Sequence, residues 1–255
     1  MMHLGQLATR LDELLDVGSY AEVDVAHNGI QVGRPDDPVD RVALAVDAAE
    51  ATIAAAADAD ADALIVHHGI FWGDSPALEG VTLSRVRRLV AAEVGLYAAH
   101  LPLDGHPMLG NAAGLARVLG LTDVAPFGTL GGVTVGRGGC LPTPRPIGEV
   151  SATLSALDGA VESQTVLPFG DEPLQRVAIV TGAGGQWLEE AAAAGYDALI
   201  SGEPRHRLHH LARELEMTAI FAGHYATETF GVQALAEPLA EWGIEPIILS
   251  HPVDI

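Results

Sequence analysis

Apolar positions along this chain follow two rhythms. Runs such as Val42-Ala43-Leu44-Ala45-Val46 and Ala63-Leu64-Ile65-Val66 read as strands buried on both faces, and Ala-rich stretches at helical spacing lie between them. From Arg41 the order is strand, helix, strand, and the same order starts again at Arg176. One spacing of 135 residues carries Arg41 onto Arg176, Asp62 onto Asp197 and Leu64 onto Leu199 without a gap. The pattern is a duplicated βαβ unit. Further on, helices at 82–93 and 205–214 lead to third strands at 95–99 and 218–222. Helices at 111–119 and 228–242 follow, and the second copy adds a strand at 245–250. A helix at 4–15 and a strand at 28–32 complete the first copy. Residues 127–175 differ in character, with Gly-rich apolar alternation, a Pro-rich turn at 141–146, a short helix at 147–157 and a strand at 161–167.

The fold class expected is therefore α/β, with two related three-layer α/β lobes from an internal duplication. The first lobe takes residues 1–126 and the second lobe 176–255, with 127–175 a bridging or insert segment that is either part of the second lobe or a bridge between lobes, the lobes being free to intertwine. At 255 residues and 49% apolar content the chain can bury a sizeable core, and no segment reads as disordered.

Charge narrows the setting. The chain carries 34 acidic residues against 13 basic ones, and none of the basic residues is lysine. Self-repulsion of this size favours solubility where counter-ions are abundant, so a salt-rich, halophilic cytoplasm is expected. An acidic surface built for a basic partner would concentrate its charge in runs, whereas here only 58–62 forms one. A lone Cys140, no leader-like N-terminus and apolar runs too short to span a bilayer point to a cytoplasmic protein with no membrane association. The acidic balance also argues against direct nucleic-acid binding.

Candidate chemistry concentrates at strand ends. His100-Leu-Pro-Leu-Asp104 and His224-Tyr-Ala-Thr-Glu228 share one spacing and follow the third strand of each copy, and His67-His68 closes the second strand of the first copy. Imidazole and carboxylate together ligate divalent metals, and three clusters suggest more than one ion. Each residue also has a plainer reading. His67 and His68 should point to opposite faces of a strand unless the chain turns at Gly69 or each serves its own ion. Asp104-Gly105 is a common turn pair. His224 and Glu228 either share one helix face or mark a strand-end turn where Glu228 complements a helix N-terminus. His100 is open to either a ligand role or an outer role positioning a water. Matching positions 202 and 203 are Gly and Glu, so the histidine pair is a specialisation of one lobe. The loop Thr181-Gly182-Ala183-Gly184-Gly185 reads as a tight turn more readily than as an anion cradle. His106, His206, His209, His210 and His251 are weak candidates individually.

Taken together, several of these segments resemble the GTP cyclohydrolase 1 type 2 family, the dinuclear metal centre hexameric proteins. They are His67-His68-Gly-Ile-Phe71-Trp72, the His100-to-Asp104 segment with Gly110-Asn111-Ala112, Asn28-Gly29-Ile30-Gln31-Val32-Gly33, and Gly223-His224-Tyr225-Ala226-Thr227-Glu228. The resemblance covers almost the whole chain in order. It implies two α/β lobes with two divalent ions (Zn, Fe, Mn or Co) in the cavity between them, held by His67, His68, Asp104, His224 and Glu228. His100 would stand close by, outside the ligand set, where it is the best available proton shuttle, and the assembly would be a homohexamer. It also implies a small-molecule substrate, GTP, whose guanine C8 is attacked by metal-activated water with release of formate. The family usually has Asp at the place of His27, Pro at Gly69 and Thr-Asn at Leu101-Pro102; no ligand is lost. Two alternatives remain at this level: a two-metal phosphoesterase or other small-molecule hydrolase, and a non-catalytic metal-binding regulatory or assembly protein.

Overall fold

The computed structural model describes residues 1–74 and 77–254. It divides into two compact units, one made of Met1–Leu103 with Gly231–His251 and the other of Asp104–Phe230 with the C-terminal residues from Pro252. The chain leaves the first unit within the short helix Leu101–Gly105 and returns within the helix Thr229–Ala234.

The first unit is built on a five-stranded sheet in the order Glu245–Ile248, Arg41–Asp47, Ala63–His68, Gly95–Ala98, Gly29–Val32. The first four strands run parallel and the last is antiparallel. Helices Leu4–Leu15, Glu50–Asp58 and Gly80–Ala91 accompany it. Its central strands are buried almost throughout, with Ala43, Leu64, Val66, Leu96 and Ala98 in one apolar cluster with Ile53 and Leu89 from the helices. This is why these strands read as continuous apolar runs.

The second unit has a six-stranded sheet in the order Thr122–Leu130, Val133–Arg145, Leu174–Ile179, Ala198–Ser201, Thr218–Phe221, Thr165–Pro168. Its three parallel strands, 174–179, 198–201 and 218–221, are flanked by antiparallel ones. Leu115, Leu119, Val150, Val177, Ile200 and Ile220 form its core.

The duplication extends to individual hydrogen bonds. Asp62 Oδ2 accepts the backbone amides of Asp40 and Arg41, both at 2.8 Å. Asp197 Oδ2 accepts those of Gln175 and Arg176 at 2.8 and 2.7 Å. Arg41 and Arg176 each reach one backbone carbonyl, Ala59 and Gly195 respectively. Register follows: Ala43 pairs with Leu64 as Ala178 pairs with Leu199. The carboxylate ties the start of one strand to the start of the next, so it survives in both copies where ligands do not.

Several boundaries are placed by the structure. Of the two readings of 127–175 the structure has the one in which it is part of the second unit, supplying strands and the helix Ile147–Leu154, and residues 104–126, expected in the first lobe, fall in the second unit as well. The strand Glu245–Ile248 joins the first unit, pairing in parallel with Arg41–Asp47 and held by an Arg41–Glu245 ion pair of 2.9 Å. Local periodicity identifies a strand but carries no information about which sheet edge it covers. The helix expected over 228–242 is broken into Thr229–Ala234 and Ala236–Glu241. Among the described residues no helix is long and apolar enough to cross a membrane.

Candidate metal centre

Each unit carries its chemistry at the carboxyl ends of its parallel strands, where open α/β sheets place their sites. In the first unit the strand Ala63–His68 ends in the two histidines. The ring centroids of His67 and His68 are 4.6 Å apart although the residues are neighbours on a strand. They lean towards different flanking strands. Buried His67 places Nδ1 3.1 Å from the carbonyl of Ala99, beyond the 95–98 strand, and His68 places Nδ1 2.9 Å from Asp47 Oδ1, at the end of the 41–47 strand. Gly69 is needed for close approach rather than for a left-handed turn: a Cβ there would collide with the Gln31 side chain. Gln31 in turn takes the Ile70 amide at 2.7 Å and donates to the His27 carbonyl at 2.7 Å, which fixes the loop after the histidines.

His100 joins this group. Its ring lies 5.0 Å from that of His67 and 5.7 Å from that of His68, with the Trp72 ring against it at 4.9 Å. Its Nδ1 is 2.8 Å from Oδ1 of Asp24, a side chain only 1% exposed. Asp24 also accepts the amides of Ala26 and Leu101 and the Asn28 side-chain amide, each at 2.9 Å, while Asn28 Oδ1 takes the His100 amide at 2.7 Å. Burial alone would push the Asp24 carboxyl up; the hydrogen bond and charge of His100, with the other donors, outweigh it and hold the group below the usual carboxylate range. Asp24 carries no motif, and the sequence reading missed it. The Asn28 and Gln31 segment, weak as a motif, finds its role here as scaffolding.

In the second unit the residues differ but the logic repeats. His224 opens the short helix His224–Thr227, and its Nε2 lies 3.1 Å from Oε2 of buried Glu228, one turn on. Its Nδ1 is 2.9 Å from Oε2 of Glu203, the residue that the duplication aligns with His68. Burial opposes protonation of His224, but the hydrogen bonds and charges of Glu228 and Glu203 prevail and raise its pKa to about 9. Asp104 lies in a short helix, Leu101–Gly105, rather than the Asp-Gly turn anticipated. Its Oδ1 accepts both the Asn111 amide and the Thr181 hydroxyl at 2.9 Å.

The glycine-rich loop behaves as a tight turn. Gly182 has φ +55°, its amide donates to Thr227 Oγ1, and its carbonyl accepts the amides of Gly202 and Glu203. A Cβ on Gly182 would run into Glu228 Oε1 and His224 Nε2. Thr181 and Gly182 thus tie Asp104 to the His224–Glu228 pair. Of the weaker candidates, His106 Nδ1 accepts the amides of Met108 and Leu109 and shapes a loop. His206, His209 and His210 are exposed on the helix His206–Glu214.

All four strand-end histidines therefore have Nδ1 against an acceptor, a backbone carbonyl for His67 and carboxylates for the others. For His67, His68 and His100 that fixes Nδ1 as the protonated nitrogen and Nε2 as the lone-pair atom wherever the ring is neutral, whereas His224 has a carboxylate at each nitrogen and is held as the cation in the metal-free protein. Histidines that ligate metals are oriented in this way.

Two α/β units whose parallel strands end in anchored imidazoles and buried carboxylates define a candidate metalloprotein of duplicated design. The chain belongs to the Duf34/NIF3 (NGG1p interacting factor 3) family, whose profile matches residues 2–252. It is 48% identical over 255 residues to a GTP cyclohydrolase 1 type 2 homolog of Halobacterium salinarum, covering 100% of both chains. A protein of the same description from Deinococcus radiodurans is 41% identical over 251 residues, 98% of this chain and 94% of that one. A crystal structure of a Thermus thermophilus protein matches at a TM-score of 0.88 and 38% identity, and the structural-genomics protein ybgI, described as of unknown function, at 0.91 and 36%; both comparisons cover 100% of each chain.

Proposed function

We propose that this protein is a metal-dependent hydrolase of the GTP cyclohydrolase 1 type 2 kind, with two divalent ions held by His67, His68, Asp104, His224 and Glu228. The observation that carries the reading is the common anchoring of the histidines, each with Nδ1 held against an acceptor, as in histidines that ligate metals. The donor set fits: imidazole nitrogen mixed with carboxylate oxygen suits Zn, Fe, Mn or Co better than Mg or Ca. Such ions, when bound, supply Lewis acidity and make water acidic enough to act as a nucleophile near neutral pH. The names of the relatives point to GTP as the substrate class; ring opening with release of formate is what the family resemblance implies.

The chain's own residues do the positioning. Asp47, Glu203 and the Ala99 carbonyl fix the direction of three rings, and Asn111 with Thr181 fixes one oxygen of Asp104. Burial of His67, Asp104 and Glu228 keeps competing water away from the donors. Both the protein, at −21, and a nucleoside triphosphate are anionic, so turnover should rise with salt until repulsion is screened. The same acidic excess without lysine supports a salt-rich cytoplasm as the working environment, and the resemblance supports a homohexamer, which light scattering on purified protein in high salt would test.

The deciding assay is formate release from GTP by metal-loaded protein in high salt. Formate matching GTP consumed, and its loss in Glu228→Ala, is the expected result. No formate from any metal form would sink the cyclohydrolase assignment, and phosphate release in its place would favour a phosphoesterase.

A further inference from the structure

We propose that the helix His206–Glu214 of the second unit carries a surface metal site of its own, in which His206 and His210 chelate one borderline transition ion, Zn, Ni or Cu. The site is separate from the strand-end residues and independent of the hydrolase reading. Four residues apart on a helix, the two side chains stand on one face, one turn above the other. Two histidines at this helical spacing can bond a single ion. Their ring centroids lie 6.1 Å apart at 78°. Rotation about the side-chain bonds of exposed residues is enough to bring one nitrogen of each onto a shared ion at about 2.0–2.1 Å.

The rest of the helix is committed elsewhere. Leu208 and Ala212 are buried and hold it to the second unit. His209 and Arg213, also four apart, pack on Phe169: the His209 ring meets it edge-on at 5.2 Å, and the Arg213 guanidinium lies 5.8 Å from the ring centre. His206 and His210 belong to neither row, and both are exposed. Among the described residues neither ring has a hydrogen-bond or ion-pair partner; their ring contacts are with each other and, for His210, with His209 at 5.5 Å. The strand-end histidines differ, since an acceptor holds Nδ1 in each of them. Here either nitrogen of each ring can turn to an ion, and the fold makes no other use of the pair.

Charge decides which ion. Arg205, Arg207 and Arg213 lie on or beside this helix, three of only 13 basic residues in a chain at −21. Such a neighbourhood repels cations, so Mg or Ca, held by charge and oxygen ligands, gains nothing there. An ion that bonds strongly to imidazole nitrogen overcomes the repulsion, which salt also screens. Two protein ligands leave the other coordination positions to water, so this ion exchanges with the solvent more readily than one held by buried donors such as His67 and Glu228.

The test uses the full chain in high salt, stripped of metal and brought to equilibrium by dialysis against Ni(II), with bound ions counted by elemental analysis. The His206→Gln/His210→Gln variant should bind one ion fewer than wild type. Either single substitution should weaken that ion by roughly 100-fold, because the second imidazole closes onto an ion already held by the first. Gln suits an exposed helical position, so the circular dichroism spectrum should not change. His209→Gln should leave both count and affinity as they are, and Mg(II) should show no difference between wild type and the double variant. The readout is a difference between two proteins, so it holds whatever number of ions the strand-end residues bind and whether or not GTP is a substrate. Equal Ni(II) binding by wild type and the double variant would overturn the proposal. So would loss of the ion in His209→Gln with its retention in His206→Gln, and a one-ion difference with Mg(II) would overturn the class of ion assigned.

Discussion

The two units start from one plan and end with opposite chemistry. Both place three parallel strands side by side, clasp the first two with the same aspartate, and put functional residues at the carboxyl ends. The first unit fills those ends with imidazoles and orients them with carboxylates, Asp47 and Asp24. The second turns the position of His68 into Glu203, an orienting group, and that of Asp47 into Gly182, which makes room for Glu228. Strand-end positions in a duplicated α/β fold are thus interchangeable between ligand and support. What persists is the pairing of a ring with an acceptor.

The largest effect expected is from Asp24→Ala. It strands the His100 ring, two backbone amides and the Asn28 amide in a buried place, costing about 3–5 kcal/mol, read as a lowered denaturant midpoint. No change would mean that the first unit does not depend on this network. Next comes Gly182→Ala, where a Cβ at φ +55° meets Glu228 and His224; about 2–4 kcal/mol and loss of metal are expected. Asp47→Gly, at the matching place in the first unit, should spare the fold.

Asp47→Asn and Glu203→Gln test whether support is equivalent on the two sides. Each should lower metal affinity by roughly 10–100-fold, measured by chelator competition, and a gap between them beyond that range would break the equivalence. The smallest effect concerns pH in the metal-free protein. His224 is raised from 6.5 to about 9 on folding, so its protonation stabilises the second unit fully below 6.5 and this contribution disappears as pH rises through about 9. Chemical denaturation across that window should show the decline, and Glu228→Gln should flatten it.

Much of this arrangement was readable from the chain. The βαβ duplication follows from apolar runs that need no partner to be recognised, and both His-x-x-x-acid motifs fall directly after third strands, as spacing required. Asp24 escaped because a loop carboxylate acquires meaning only when folding carries His100 to it across 76 residues. Asp104 is a ligand candidate whose plainer reading is a turn, because Asp-Gly is ambiguous locally; the structure has it in a short helix, bonded to Asn111 and Thr181. The destination of the last strand and the sheet role of 127–175 were hidden for the same reason, since sheet edges are chosen by non-local pairing.

That last strand has a consequence for synthesis. The second unit is built almost entirely from the continuous stretch Asp104–Phe230, so it can fold as soon as that stretch leaves the ribosome. The first unit begins earlier but its sheet is finished only when Glu245–Ile248 arrives to pair with Arg41–Asp47. Until then the 41–47 strand keeps an open edge of unmet amides and carbonyls, a template for pairing with another nascent chain. The unit that is translated first is therefore the one that completes last, and chains stopped short of the C-terminus should aggregate through that edge.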